Sequence, residues 1–391
     1  MIPNRELLDL RGEWLLRVDV IEKDYVLGWM LAAIAADPDL ARTWVFKGGT
    51  CLRKCYYETY RFSEDLDFTV MDGGPEAPDD LLSRFEEVGA WLYEHAGIEI
   101  VLDERAFVQR QNLRGNPTTQ GRIAFRGPTA SPSLAKVKLD ITSDEVVVES
   151  PVLRPIAHPY SDGPLPVDGV LSYSITELFA EKLRALAERC RPRDLYDVVH
   201  VHRHPDLIGR AHAVEAALDQ KCAFVGIAVP DADAIRSSPF RNEVEQEWDN
   251  MLGHQLPHLP PFSDFWEGVD DLFAWLRAER PTPALPRAEF GEVDEAWSPP
   301  RAMASWRYGA PLELIRFAGA NRMKIEIDYR ADRGRWGPRI VEPYAFRRTK
   351  DGNLILFVVN DRDQLRSYRV DKIASVRITD QSFRPRYYVE F

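Results

Sequence analysis

The sequence FKGGTCLRK at residues 46–54, followed by YRFSEDLDF at residues 60–68, decides the fold prediction for this chain. A short apolar segment precedes Gly48 and Gly49, and a helical pattern follows them, so the glycines lie between a strand and a helix. Glycines at such a junction let a phosphate approach bare backbone amides, and the start of a helix favours negative charge. Thr50 adds a hydroxyl group. We therefore predict a phosphate-binding turn.

Carboxylates on two predicted strands accompany this turn. Asp65 and Asp67 are two residues apart on one strand, so both side chains leave the same face and favour a cation such as Mg²⁺. Asp140, in KVKLDIT at residues 136–142, lies on an alternating strand, and we expect it to interrupt an apolar face as a third carboxylate. Taken singly, a Gly-Gly pair is more often an ordinary turn and a D-x-D more often a solvated strand end, and an exposed strand position explains Asp140 equally well.

The length of 391 residues indicates more than one domain. Residues 1–150 alternate helical and strand patterns and predict an α/β core, and residues 151–280 predict a helical lobe. In that lobe Ser174 and Glu177 have the spacing of a helix-capping box. Residues 281–304 are a proline-rich linker, and residues 305–391 predict a small β-barrel from short segments broken by turn residues.

Individual elements follow from the same patterns. Predicted helices span residues 22–36, 51–60 and 79–97, and predicted strands span residues 44–46, 66–70, 323–329, 354–360, 367–370, 373–378 and 387–391. Residues 136–148 predict one strand or a hairpin.

Charge is distributed unevenly along the chain. The formal net charge is −12, whereas residues 301–391 carry 19 Lys and Arg against 11 Asp and Glu, which indicates a separate basic module. No apolar run approaches the roughly 18 residues of a membrane span. The first residues mix acids and bases, unlike a secretory signal, so we expect a cytoplasmic protein whose four cysteines are reduced.

The order GGT, RFSEDLDF, KLDIT, EKLRAL and RDLYD resembles the AbiEii/AbiGii toxin nucleotidyltransferases, which include the MenT toxins and belong to the DNA polymerase β-like superfamily. The resemblance covers roughly residues 20–280. It implies a polymerase β-like α/β core with a helical lobe. The implied activity is transfer of a nucleotide from an NTP, with Mg²⁺ as cofactor.

The resemblance also implies roles for single residues. The implied nucleotide-binding residues are Gly48, Gly49, Thr50, Arg53, Arg61, Lys182 and Asp197; the implied metal ligands are Asp65, Asp67 and Asp140; and the implied catalytic residues are Asp65, Asp67, Asp140, Lys182 and Asp194. Asp140 would help to deprotonate the attacking hydroxyl, and Asp194 would orient Lys182 or Arg193. Without the resemblance, Glu181 and Lys182 read as a solvated helix face.

The C-terminal residues resemble a second family. IEIDY at residues 325–329, RIVEP at residues 339–343 and LRSYR at residues 365–369 are similar to the WYL domain, a small Sm/SH3-like β-barrel, although ILF at residues 355–357 replaces the naming triad. A nucleotide or single-stranded nucleic acid would contact arginines and aromatic rings. The candidate residues are Tyr329, Arg339, Arg366, Tyr368 and Arg369.

The expected function is that of a type IV toxin-antitoxin or phage-defence toxin that adds a nucleotide to RNA, with the 3′ end of tRNA as the leading acceptor. By the resemblance, its partner is a winged-helix antitoxin. Two alternatives stay open: transfer to a protein or a small molecule, and a non-catalytic regulator that senses nucleotides through the WYL-like module.

Overall fold

The structure is a computed structural model that describes residues 1–112, 114–277, 285–288, 291, 293–294, 296–297, 299, 311–330 and 337–391. Much of the predicted linker, residues 281–304, lies outside the described residues. Within the described part of the chain, no helix combines the length and the apolar character needed to cross a bilayer.

All but one of the α-helices in the described residues lie within the first 276 residues. The α-helices in the described residues are α1 (Asn4–Trp14), α2 (Val18–Ala36), α3 (Leu40–Thr43), α4 (Gly48–Cys51), α5 (Pro78–Ala96), α6 (Ile175–Arg189), α7 (Pro192–His202), α8 (Ala211–Val225), α9 (Ala232–Arg236), α10 (Arg241–Gln246), α11 (Trp248–Leu252), α12 (Phe262–Leu276) and α13 (Leu312–Ala320). Helix α4 continues into a π-helical turn, Leu52–Tyr56.

An N-terminal mixed sheet organises the first part of the chain. Its strands are β1 (Trp44–Lys47), β2 (Asp65–Val70), β3 (Glu99–Val101), β4 (Phe107–Gln111), β5 (Pro117–Arg126), β6 (Ala135–Thr142), β7 (Val152–Arg154) and β8 (Val170–Ser172). Their order is β3-β5-β6-β2-β1-β8-β7, with β4 paired to β5. The pairs β2–β6 and β1–β8 are parallel, whereas the other pairs are antiparallel.

The two faces of this sheet differ in polarity. Leu66 and Phe68 on β2 and Leu139 and Ile141 on β6 are fully buried on one face. Alternate residues of a strand point to opposite faces, so the aspartates of β2 and β6 lie on the other face. The prediction that Asp140 interrupts an apolar face was therefore wrong. Asp140 belongs to the polar face of β6.

The helical lobe begins with α6, whose first turn is capped as predicted. The Ser174 hydroxyl accepts a hydrogen bond from the Glu177 backbone N–H at 3.0 Å. The Glu177 carboxylate does not complete the capping box, because it accepts hydrogen bonds from the backbone N–H groups of Val148 and Glu149. The side chain of Glu177 thus ties the helical lobe to the segment that follows β6.

The C-terminal module is a separate antiparallel sheet. Its strands are β9 (Met323–Tyr329), β10 (Gly337–Arg348), β11 (Leu354–Asn360), β12 (Leu365–Arg369) and β13 (Ile373–Ser382), in the order β12-β11-β10-β9-β13. In the described residues the end strands β12 and β13 do not pair, so the sheet is not a closed barrel. It is nevertheless strongly curled: the rings of Tyr329 on β9 and Tyr368 on β12 are 4.7 Å apart, whereas three strand spacings in a flat sheet separate residues by about 14 Å.

Buried contacts join the two parts of the chain. Leu312, Ile315 and Phe317 of α13 belong to the same apolar core as the helical lobe. The Tyr196 hydroxyl on α7 donates a hydrogen bond of 2.8 Å to Asn321 Oδ1, and Asn321 is only 1% exposed. The C-terminal module is therefore docked on α7.

Several predicted elements match the structure closely. The expected helices at residues 22–36 and 79–97 correspond to α2 and α5, and the strands at residues 323–329 and 354–360 correspond to β9 and β11. The expected helix at residues 51–60 instead starts at Gly48 and ends at Tyr56, and residues 136–148 contain one strand, β6, followed by a loop. Residues 387–391 form no strand, and β10 is a strand that the sequence patterns did not predict.

Candidate active site

A row of polar side chains crosses four neighbouring strands of the N-terminal sheet. Asp67 on β2 is the register partner of Lys47 on β1 and of Asp140 on β6. Asp140 is in turn the partner of Gln120 on β5. Register partners on adjacent strands share a face of the sheet, so the four side chains lie side by side. Asp65, two residues before Asp67, joins the same face and is 4.0 Å from the Lys138 ammonium.

The carboxylates of this row repel one another. Burial raises the pKa of Asp67 to about 6, and the Asp140 and Asp65 carboxylates act in the same direction, against Lys47 and Lys182. Burial, followed by the Asp65 carboxylate, also raises the pKa of Asp140. The cluster therefore has more negative charge than its neighbours neutralise, and a cation bound there would be stabilised.

The glycine turn lies directly against these carboxylates. Gly48 has a φ of +80°, and a β-carbon at that position would be 2.1 Å from Asp67 Oδ2. A β-carbon on Gly49 would be 2.7 Å from a terminal nitrogen of Arg61. The fully buried Thr50 hydroxyl donates a hydrogen bond to the Asp65 backbone carbonyl, so it fixes the turn to β2. The turn has no room for side chains at its two glycines.

Helices α6 and α7 contribute an ion-pair network. Lys182 Nζ is 2.8 Å from Asp197 Oδ2, and Arg61 donates two hydrogen bonds to the same carboxylate at 2.7 and 2.8 Å. The third nitrogen of the Arg61 guanidinium donates to Gln255 Oε1 at 3.0 Å. Burial alone would raise the pKa of Asp197, but the Arg61 and Lys182 charges outweigh it and hold that pKa well below its usual range. Arg61 therefore supports Asp197 from inside the fold.

Asp194 has a different partner from the one predicted. Both of its carboxylate oxygens accept hydrogen bonds of 2.8 Å from Arg189, at the end of α6. The prediction that Asp194 orients Lys182 or Arg193 was wrong, because Asp197 takes Lys182 and the Arg193 Nε donates to the Met251 carbonyl. The hydrogen bond to Asp194 raises the pKa of Arg189, and the Asp67 charge contributes, so Arg189 lies within electrostatic range of the carboxylate row.

Arg53 is held away from this row. Its guanidinium donates 2.8 Å to Asp24 Oδ1 and 3.0 Å to the carbonyls of Glu58 and Tyr60, and it lies 3.3 Å from the centre of the Phe62 ring. Asp24 also binds the Lys54 ammonium at 2.7 Å. These contacts, formed by a side chain only 6% exposed, give Arg53 a role within the fold.

Sequence reasoning missed the ion pairs that surround Lys47. The Lys47 ammonium is 3.0 Å from Glu145 and 3.9 Å from Glu181. Lys221 is 2.6 Å from Glu177 and 3.3 Å from Glu181, so the buried charges continue toward α8. Glu181 and Lys182, which also read as a solvated helix face, have side chains only 15% and 11% exposed. The position of Lys47 directly before Gly48 was the one feature of the sequence that could have indicated its place beside the site.

The residues present fit a Mg²⁺ ion assisted by substrate. Among the described residues, no three Asp, Glu, His or Cys side chains converge closely enough to hold a metal by themselves. Mg²⁺ in phosphoryl-transfer sites usually binds one or two carboxylates together with water and substrate phosphates, so it does not need a complete protein cage. Asp65, Asp67 and Asp140 carry carboxylate oxygens and negative charge of the kind that such an ion prefers.

The candidate residues of the C-terminal module come together only in part. The Arg339 guanidinium lies 5.1 Å from the ring centre of Tyr329 and 5.3 Å from that of Tyr368. Arg366 donates to the Gln364 side chain, and Arg369 forms an ion pair of 2.6 Å with Asp371. Arg369 follows Tyr368 directly, so its side chain leaves the opposite face of β12. Tyr329, Arg339 and Tyr368 form one cluster, which we call the tyrosine–arginine cluster.

Comparison with known proteins gives two family matches. Residues 29–275 match the family described as nucleotidyl transferase AbiEii toxin, type IV toxin-antitoxin system. Residues 311–378 match the WYL domain. No curated protein matches the chain.

Two solved structures show more distant likeness. MenT4, a nucleotidyltransferase toxin from Mycobacterium tuberculosis, is 18% identical, with 70% of this chain and 87% of that chain covered and a TM-score of 0.47. The proteasome accessory factor B/C of Arthrobacter aurescens is 11% identical, with 98% and 71% covered and a TM-score of 0.19. Identification therefore depends on the family matches. Since the first of them takes in more than half of the chain, the protein belongs to the AbiEii family of nucleotidyltransferase toxins of type IV toxin-antitoxin systems, and it carries a C-terminal WYL domain.

Proposed function

We propose that this nucleotidyltransferase transfers a nucleotide from an NTP to RNA, with the 3′ end of tRNA as acceptor, in a Mg²⁺-dependent reaction. The observation that carries the proposal is the row formed by Lys47, Asp67 and Asp140 against the Gly48 turn. Phosphoryl transfer needs positioning and neutralisation of charge more than covalent help, and this row offers both. The family implies an NTP substrate and an antitoxin partner.

The carboxylates would hold the metal. Asp65, Asp67 and Asp140 would bind Mg²⁺, which when present neutralises phosphate charge and orients the attacking and leaving oxygens. Asp140 would also accept the proton of the attacking hydroxyl. Backbone amides at Gly48 and Gly49 would face the triphosphate, since neither residue has a side chain of its own to keep a phosphate away.

The helical lobe would supply cations. Lys182 projects from α6, and Asp197 holds its ammonium at 2.8 Å. We assign Lys182 to the triphosphate, and we assign Asp197 and Arg61 to positioning Lys182. Asp194 would act in the same way on Arg189, whose charge is felt by Asp67. Arg53 is left out of the nucleotide site because its guanidinium is used within the fold.

The basic C-terminal module would hold the RNA. Arg339 between two tyrosine rings combines a phosphate ligand with surfaces on which bases stack. The excess of Lys and Arg over Asp and Glu in residues 301–391 favours a polyanion. We further propose a winged-helix antitoxin and action in the cytoplasm, where NTPs and tRNA occur together; both rest on the family alone.

One experiment tests the reaction and its acceptor. The purified protein, its Asp67→Asn variant and the control Asp168→Asn, which changes an exposed aspartate, are incubated with Mg²⁺, total RNA and each labelled NTP in turn. We expect label on tRNA with the wild type and the control, and none with Asp67→Asn. Equal labelling by Asp67→Asn would overturn the mechanism. Label on protein would favour another acceptor, and nucleotide binding without transfer would favour a regulator.

A further inference from the structure

A second cleft lies where the C-terminal module meets α7 and the segment after α4. Its internal volume is about 140 Å³, roughly ten times the space that one bound water needs, so a small ligand can enter it. Tyr57, His200 and Arg203 line it from the first part of the chain, and Arg316 and Arg322 line it from the C-terminal module. The cleft is thus built by both modules and lacks the aspartates of the candidate active site.

The charge of this cleft is positive. Glu58 is the carboxylate in its lining, and it lies 3.6 Å from Arg316, which also pairs with Glu313. The other two arginines bind neutral groups: Arg203 donates to the Asp264 backbone carbonyl and Arg322 to the Gly319 backbone carbonyl, both at 3.2 Å. Carbonyl dipoles do not cancel a guanidinium charge, and only Arg203 gains partial compensation, from the Asp264 and Asp271 charges. Net positive charge therefore remains at the cleft.

The two arginines also destabilise each other. Burial and then the Arg203 charge lower the pKa of Arg322 to about 9. Burial lowers the pKa of Arg203, although the Asp264 and Asp271 charges oppose this. Two guanidinium groups crowded in this way are stabilised when an anion binds between them.

Three polar atoms in the lining are buried without a hydrogen-bond partner in the described residues. They are Tyr57 Oη, His200 Nδ1 and Arg203 Nη1. Tyr57 and His200 are only 4% and 5% exposed. Buried polar atoms in folded proteins are nearly always hydrogen-bonded, so three such atoms in the residues around one cleft favour a ligand toward which these side chains turn.

We propose that this cleft binds a small phosphate-bearing ligand that bridges the nucleotidyltransferase and the WYL domain. A phosphate group accepts several hydrogen bonds from different directions, which matches guanidinium, hydroxyl and imidazole donors on opposite walls. A neutral ligand would satisfy the hydrogen bonds but leave the charges of Arg203 and Arg322 unopposed. This site is separate from the carboxylate row, so it does not depend on the proposed reaction.

Helix α7 connects the cleft with the candidate active site. It carries Asp194 and Asp197 near its start and His200 near its end, and Arg203 follows directly. Tyr196, on the same helix, binds Asn321 of the C-terminal module. An occupant of the cleft therefore holds the WYL domain against the helix that positions Lys182.

Calorimetric titration without divalent metal tests the site. The probes are inorganic pyrophosphate and AMP, and the proteins are the wild type, Arg322→Gln, the exposed control Arg362→Gln and the active-site variant Lys182→Met. We expect binding to the wild type, binding weakened at least about ten-fold in Arg322→Gln because a charge-assisted contact is lost, and unchanged binding in the other two variants. Binding of both probes would identify the phosphate alone as the recognised group, and binding of AMP alone a nucleotide.

Three results would overturn the proposal: neither probe binds at millimolar concentration, Arg322→Gln binds like the wild type, or Lys182→Met loses the binding. A second variant decides the matter if Arg322→Gln does not fold. Tyr57→Phe removes one unpartnered hydroxyl, so it should fold at least as stably as the wild type and yet bind the probe several-fold more weakly. Unchanged binding in Tyr57→Phe would then refute the site.

Discussion

Asp67 on β2 and Asp140 on β6 are register partners on neighbouring parallel strands, with Lys47 opposite Asp67 on its other side. The backbone hydrogen bonds of the sheet therefore hold two carboxylates side by side, independently of any ligand. Their mutual repulsion is balanced in part by Lys47, which is itself shared with Glu145 and Glu181. The site therefore carries negative charge that its own cations do not fully neutralise.

This uncompensated negative charge predicts that Asp67→Asn stabilises the metal-free protein. Since the pKa of Asp67 is raised to about 6, ionised Asp67 opposes folding at neutral pH, and its neutral replacement should raise the free energy of unfolding by about 1–3 kcal/mol. Urea denaturation in EDTA measures this. Asp168→Asn, at an exposed position, should change stability by less than about 0.5 kcal/mol. A less stable Asp67→Asn would mean that Lys47 already compensates the carboxylate.

Asp197 and Lys182 should separate into a positioning and a catalytic role. Asp197→Asn leaves Arg61 buried without its carboxylate and should lower the free energy of unfolding by about 3–5 kcal/mol. Lys182→Met keeps the pair between Arg61 and Asp197, so it should unfold at a urea concentration closer to the wild type while its kcat for nucleotidyl transfer falls steeply. Normal kcat in Lys182→Met would remove this lysine from the mechanism.

Gly48 should not tolerate a side chain. A β-carbon there would meet Asp67 Oδ2 at 2.1 Å, and the φ of +80° is one that other residues rarely adopt. The unfavourable backbone costs about 1–2 kcal/mol in addition to the clash, and we expect Gly48→Ala to lose nucleotidyl transfer. The matched control is Gly12→Ala in α1, where a β-carbon meets nothing within 4 Å. It should keep full activity and gain up to about 1 kcal/mol of stability.

His200 should make the protein less stable in mild acid. Burial lowers its pKa to about 3, with the charges of His204 and Arg203 acting in the same direction. Above about pH 6.5 the residue is neutral in both states and contributes nothing; below it the unfolded chain takes up a proton that the folded protein excludes.

This one residue should therefore remove about 2 kcal/mol between pH 7 and pH 5. The test compares the pH dependence of urea denaturation for the wild type and His200→Gln, because other groups contribute equally to both proteins. Parallel curves for the two proteins would show that His200 titrates normally in the folded state.

Arg339 should contribute to RNA binding through the tyrosine–arginine cluster. Replacing it with Gln removes a cation that lies 5.1 Å and 5.3 Å from two tyrosine ring centres. We expect affinity for tRNA to fall several-fold and the salt dependence of binding to decrease by about one phosphate contact. Arg377→Gln is the control, because that arginine is 67% exposed and paired with Glu326 on β9. Equal loss in both variants would indicate attraction by net charge alone.

Local sequence patterns predicted the positions of several elements correctly. The positions of Asp65 and Asp67 on one strand, the glycine turn at the start of α4, and the strands β9 and β11 all depend on residues close together in the chain. The polar row as a whole did not follow from such patterns. Strand order decides that Lys47 and Asp140 flank Asp67, and strand order is a property of the complete sheet.

The tertiary structure also decided which ion-pair partner each charged side chain has. Sequence spacing does not show which carboxylate a long arginine side chain reaches. The ion-pair partners could therefore not be predicted for Arg53, Arg61, Asp194 and Asp197. In the folded chain Arg53 binds Asp24, Arg61 binds Asp197, and Asp194 binds Arg189. These pairs bring together residues from different helices and loops, and burial makes each pairing nearly obligatory.

The sequence by itself therefore determined the family, the α/β class of the first module and a basic β-rich module at the end. Only the tertiary structure decided which face of β6 carries Asp140, which cations surround it, and that the WYL domain docks on α7 to form a second cleft. The physical reason is range: propensity and periodicity act over a few neighbouring residues, whereas register, burial and ion pairing join residues that are distant in the chain.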